Sequence, residues 1–162
     1  LIVNPTPQIT DPSPLEVCDT DADGLAQFDL ELNNPEILNQ LDADATNDLA
    51  ATDYSITYYA TAADAAVPQN AIATPNAYTN TTPNMDTVWV VIADNANGCS
   101  TITTMDLIVN PLPVLLQASP LVLCNDNDLP GEVPALAQEE FTLEDANAEI
   151  LNGQTGITLT YY

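Results

Sequence analysis

The stretch from Thr87 to Val109, "TVWVVIADNANGCSTITTMDLIV", decides the fold class. Two runs rich in Val, Ile and Thr flank a short Asp/Asn/Gly segment, in which Asn97-Gly98 supplies the positive φ values of a tight hairpin turn. Residues 87–93 and 100–109 are therefore expected to be antiparallel strands. The same composition marks residues 8–10, 15–18, 26–32 and 54–60 as further strands, separated by Pro, Asn, Asp and Gly. Two pieces break the pattern. "NNPEILNQL" (33–41) has Asn before Pro at a helix start, and "TAADAAVPQ" (61–69) is alanine-rich, so each is expected to form about two turns of helix. Six or seven short strands in about 100 residues, closed by a hairpin, point to an all-β chain of immunoglobulin-like β-sandwich repeats with short helical turns in the connections.

Self-similarity sets the domain organisation. "LIVNPTPQITDPSPLEVC" from Leu1 aligns without a gap to "LIVNPLPVLLQASPLVLC" from Leu107, with ten identities in eighteen at an offset of 106. "FDLELNNPEILNQ" from Phe28 matches "FTLEDANAEILNG" from Phe141, and "SITYY" ending at Tyr59 matches "TLTYY" ending at Tyr162. The sequence thus divides into the last strand of one repeat (1–4), a complete repeat (5–110) and the first half of the next (111–162). The "NPxP" segments after Val3 and Val109 read as stiff joints, because proline fixes its own φ and restrains the preceding residue. With Leu1 in place of Met, no leader pattern and no apolar run near 18 residues, the sequence reads as a window of something longer.

Charge excludes whole classes of function. Among 162 residues there are 24 Asp and Glu but no Lys, Arg or His, where average usage would give roughly twenty Lys plus Arg. A net charge of −24 repels nucleic acid and anionic membrane headgroups. The chain has no imidazole base, Schiff-base lysine or arginine clamp, so a non-enzymatic role is expected. Self-repulsion of this size calls for counterions, which favours an extracellular, salt-bathed setting.

Three cysteines and one acidic loop are the candidate site residues. Cys18 opens the complete repeat and Cys99 sits at its closing hairpin, while Cys124 repeats Cys18 and would need a partner near residue 205. One disulfide per repeat, Cys18 to Cys99, accounts for the odd count; free thiols are the alternative. With no histidine to activate it, neither cysteine suits a nucleophilic role.

In "CDTDADG", Asp19, Asp21, Asp23 and Gly24 match positions 1, 3, 5 and 6 of a calcium loop, and Leu25 could offer its carbonyl at position 7. Leu30 stands where the bidentate Glu of position 12 is expected, so Asp29 or Glu31 would have to close the shell. The alternative is a solvated turn in which Asp side chains cap backbone N–H groups. The next repeat keeps Asn125, Asn127 and Asp128 but interrupts the spacing. Trp89, Tyr58, Tyr59, Phe28 and Phe141 are expected in the core, and Asn80-Thr81-Thr82 fits the N-glycosylation pattern, with solvated threonines the default reading.

"PLEVCDTDADG", "ITYYATAADA", "YTNTT" and "VWVVIADNANGCSTITTMDLIVNPLP" together resemble the tandem repeats of very large flavobacterial cell-surface proteins related to gliding-motility adhesins. The resemblance covers essentially the whole chain. It implies Ig-like modules, export by the type IX secretion system and display at the cell surface as long adhesive filaments. It also implies O-glycans on Asp-Thr-aliphatic sequences, which Asp86-Thr87-Val88 matches at Thr87. The expected function is a structural repeat of a secreted filament that supports adhesion or surface motility, stabilised by calcium. Its expected partners are neighbouring repeats, further copies in a homo-oligomeric filament, and a host or prey surface or substratum. A calcium-dependent carbohydrate or receptor binding module is the alternative.

Overall fold

The computed structural model describes residues 3–41, 53–123 and 140–162. The chain divides into two compact units, Leu1–Leu112 and Pro113–Tyr162. In the first, the expected hairpin forms from β5 (Met85–Asp94) and β6 (Ser100–Asn110), paired antiparallel from Met85↔Ile108 to Ala93↔Ser100. The turn between them is held by Asp94: its carbonyl accepts from Gly98 N–H at 2.7 Å, and its carboxylate accepts from Ala96 N–H and the Asn97 side-chain amide. Only Gly98 of the expected Asn-Gly pair takes a positive φ, 74°.

Two further strands flank the hairpin. β3 (Tyr54–Tyr59) pairs antiparallel with β5, and β1 (Leu15–Cys18) pairs parallel with β6, giving a mixed four-stranded sheet in the order β1-β6-β5-β3. β2 (Gln27–Phe28) and β4 (Tyr78–Thr79) form a separate antiparallel ribbon. The strand expected over 26–32 is cut short because Asp29 caps a 3₁₀ turn, Leu30–Asn33, which leads into α1 (Asn34–Leu41). The second expected helix is α2 (Ala62–Ala66), capped by the Thr61 hydroxyl, and residues 8–10 run outside any strand.

Alternation along β5 and β6 builds the core. Val88, Val90 and Ile92 from β5 and Met105, Leu107 and Val109 from β6 point to one face of the sheet, where Phe28, Leu30 and Ile37 close over them. Tyr58 ties these layers, its hydroxyl lying 3.0 Å from the Leu30 carbonyl and 2.5 Å from Asn34 Oδ1. Burial, with the nearby Glu31 and Asp29 carboxylates, pushes the Tyr58 phenol well up, so it remains a donor. On the opposite face, Tyr59, Val91 and Trp89 gather around Ala65 of α2.

The second unit reproduces local parts of the first. A 3₁₀ turn, Leu143–Ala146, leads into α3 (Asn147–Leu151), as Leu30–Asn33 leads into α1. Ser119 donates to Glu149 as Ser13 does to Glu36, and the Tyr161 hydroxyl meets Asn147 as Tyr58 meets Asn34. Phe141, expected in the core, is instead 49% exposed, against 1% for its counterpart Phe28. The strands that cover Phe28, β5 and β6, have no counterparts between Phe141 and Tyr162.

The two faces of β6 should respond differently to truncation. Leu107→Ala is expected to lower the unfolding free energy by about 2–5 kcal/mol in urea denaturation. Ile102→Ala, on the exposed side of the same strand, should change it by less than about 0.5 kcal/mol.

Candidate functional site

Two runs of chain lie side by side in the first unit, and the candidate residues stand at their ends. Residues 4–18 run in the same direction as β6. The Cys99 Sγ lies 3.9 Å from the Asn4 carbonyl, the Asp11 carboxylate accepts from Thr103 Oγ1 at 2.5 Å and Thr104 N–H at 3.3 Å, and Leu15 pairs with Leu107. The Thr103 hydroxyl, then the Thr104 N–H, hold the Asp11 carboxyl below the ordinary range. At the far end Cys18 pairs with Asn110, and the Asp19 N–H extends the ladder to the Asn110 carbonyl at 2.8 Å.

This register overturns the expected Cys18–Cys99 bond. Cys18 sits opposite the last residue of β6 and Cys99 immediately precedes its first, so eleven residues of strand separate them. At the strand rise that span is about 36 Å, whereas a disulfide needs Cα atoms within about 7 Å. The expectation rested on the cysteine count and on the place of each cysteine in the repeat; parallel pairing carries the end of the opening strand away from the closing hairpin. Both thiols are free, Cys18 exposed and Cys99 half-buried. Each nevertheless has an asparagine neighbour, Asn110 for Cys18 and Asn4 for Cys99, and these are the same position of the repeat, 106 residues apart. Cys124 lies outside the described residues.

The acidic loop begins where β1 ends. Asp19 is buried, and its carboxylate accepts N–H bonds from Asp21 at 3.1 Å, Ala22 at 2.9 Å and Gly24 at 2.9 Å. These backbone donors, Asp21 foremost, hold its carboxyl below the ordinary range. Leu25 N–H donates to Asp23 in turn. Asn80 then stitches the loop to the neighbouring segment: its amide donates to the Gly24 and Thr82 carbonyls and accepts from Ala26 N–H. Gly24 is required here, since its φ is +76° and a Cβ would meet Pro83 Cβ at 2.9 Å and Asn84 N at 3.0 Å.

Of the expected calcium ligands, Asp19, Asp21 and Asp23 converge, each offering an oxygen within 4.8 Å of the others. Asp29 and Glu31 do not join this group among the described residues. Asp29 instead accepts the Glu31 N–H as the cap of the 3₁₀ turn. The donor set is therefore three carboxylates, with no bidentate closing residue. Asn125, Asn127 and Asp128 lie outside the described residues.

The glycosylation candidates are structural groups. Asn80, the acceptor of the N-linked pattern, is 2% exposed with both amide hydrogens engaged, while Thr81 and Thr82 are exposed, as the solvated reading of the threonines expects. Thr87 is on β5, and its hydroxyl donates across the pair to Asp106 at 2.8 Å. The sequence pattern did not reveal Asn80 or Asp11 as structural anchors, because each acts on backbone brought close only by folding.

Asp19 generates a pH prediction with a defined sign. Its carboxyl titrates lower folded than unfolded, so its stabilisation is fully present above the ordinary carboxylate pKa of about 4 and is lost as pH falls through the depressed value. The melting-temperature gap between the wild type and Asp19→Asn should be constant above about pH 5 and close at lower pH. Gly24→Ala should cost roughly 1–3 kcal/mol at every pH, from its backbone conformation alone.

The search of curated proteins and that of solved structures return no match. Residues 14–113 match the Flavobacterium inter-domain disulphide bond domain, a span that includes β1 through β6 and both Cys18 and Cys99. The chain belongs to the family of Flavobacterium inter-domain disulphide bond domains.

Proposed function

We propose that the chain is a non-enzymatic structural repeat of a secreted cell-surface filament serving adhesion or surface motility, in which successive repeats are joined by disulfides. Cys18 bonds to the counterpart of Cys99 in the following repeat, and Cys99 to the counterpart of Cys18 in the preceding one. One observation carries this reading: Cys18 pairs with Asn110 in the sheet and the Cys99 sulfur lies beside Asn4, its equivalent, so one joint residue has a cysteine from each side. The family's name, which specifies an inter-domain bond, supports the same pairing. Each bond forms when two thiols release two protons and two electrons to an external disulfide-bearing oxidant, which is reduced to a dithiol. That chemistry places the array outside the reducing cytoplasm.

We read each repeat as an Ig-like bead. In such sandwiches strands C, F and G share one sheet and B and E the other. Here β3, β5 and β6 are neighbours in one sheet while β2 pairs with β4, the partition expected if β2 to β6 stand for B, C, E, F and G. Calcium belongs to this reading as a stabiliser of the Asp19, Asp21 and Asp23 loop, which adjoins Cys18. The filament's contacts with a host or prey surface or substratum would lie on exposed faces of the beads.

Non-reducing peptide mapping tests the pairing on an array of at least three consecutive repeats. The protease must cut at Asp or Glu, since the chain has no Lys or Arg for trypsin. The peptide containing Cys18 is expected to be joined to the one containing the next repeat's counterpart of Cys99; a Cys18–Cys99 peptide would overturn the reading. Melting in calcium should lie above melting in chelator, and the difference should vanish in Asp21→Asn/Asp23→Asn. Equal melts for the wild type would remove calcium from the proposal.

A further inference from the structure

The two runs have a mechanical consequence once the repeats are joined, and it rests on the pairing proposed above. Residues 4–18 and 99–110 point the same way and lie side by side, from Asn4 beside Cys99 to Cys18 opposite Asn110. They are tied by the Asp11 contacts to Thr103 and Thr104, the β1–β6 ladder and the Asp19–Asn110 bond. β6 continues by peptide bond through Asn110-Pro111 into the next repeat's counterpart of residues 5–18. Residues 4–18 continue, through the Cys18 disulfide, into the next repeat's counterpart of β6.

We infer that the oxidised array contains two continuous covalent tension lines, each alternating a β6 strand with a lead-in segment, and that the 80 residues 19–98 of every repeat lie off both. Each line crosses a repeat in one run of at most fourteen steps, so a bead can lose its fold with little lengthening of the filament. The disulfides transmit pull past the β2–β4 ribbon, the helices and the β3–β5 pairing, none of which bears load in series.

Lengths make the inference quantitative. A β6 run spans about 36 Å folded and about 40 Å fully stretched, and the fourteen steps from Asn4 to Cys18 reach about 50 Å at most. Stretching therefore adds about 1 nm per repeat. Without the disulfides, unfolding one 106-residue repeat releases roughly 34 nm. A bond closed within the repeat, Cys18 to Cys99, would leave about 25 residues free and release about 5 nm.

Single-molecule force extension on the same array, oxidised and then reduced, tests this. The oxidised array is expected to show no unfolding steps beyond about 1 nm per repeat, and the reduced array, or Cys18→Ser with Cys99→Ser in all repeats, steps of roughly 34 nm. Steps of about 34 nm in an oxidised array whose peptide map shows the inter-repeat bond would overturn the tension lines and leave the pairing intact. Steps of about 5 nm, or full-length steps with no bond in the map, would overturn the pairing and the tension lines with it. Reduction acts on already folded protein, so the comparison holds even if the serine variants fold poorly.

Discussion

The parallel pairing of β1 with β6 is the constraint on which the rest of the first unit depends. A parallel neighbour must travel from the same end as its partner, so residues 4–14 are laid along β6 before β1 begins. That path places the first cysteine and the second at opposite ends of the sheet. It also leaves the acidic loop, the Asn110 joint and Cys18 together at one end, and Cys99 with Asn4 at the other. Had β1 run antiparallel, its end would have met the hairpin and closed the bead on itself.

A chain with 24 carboxylates and no cationic side chain must satisfy its acids by other means. It does so with amides and hydroxyls. Asp19 takes three backbone N–H groups, Asp11 and Asp106 take threonine hydroxyls, Asp86 takes Thr81, and Glu36 and Glu149 take serines. Within α2 the Asp64 carboxylate accepts from the Thr61 hydroxyl, the cap of that helix, and from the Asn70 amide, which hold its carboxyl below the ordinary range. Hydrogen bonds of this kind favour the charged form without neutralising it, so the repulsion among the carboxylates persists and is left to salt or divalent cations. Among the described residues, only Asp19, Asp21 and Asp23 converge as a group of three carboxylates.

Strands with clear alternation were legible: residues 15–18, 54–59, 85–94 and 100–110 fall where the Val, Ile and Thr runs predict, and both short helices follow their Asn-Pro and Thr caps. The β2–β4 ribbon was not, because two-residue strands carry no period and are defined only by their partner. Phe28 and Leu30 read as one strand, yet Asp29 turns the chain between them. Asp29 and Glu31 stand outside the Asp19, Asp21 and Asp23 group for the same reason: spacing counts residues, while a 3₁₀ turn redirects the chain.

The sequence by itself determined the repeat, its length, the hairpin, the lack of imidazole, amine and guanidinium side chains and the equivalence of Asn4 with Asn110, since these are properties of residue order and composition. Only the tertiary structure decided where the cysteines stand. Strand direction is chosen by side-chain packing between segments about 90 residues apart, and no local pattern encodes it. The physical reason is that Leu15 and Val17 can bury their side chains beside Leu107 and Val109 in this register, and the place of Cys18 follows from that burial.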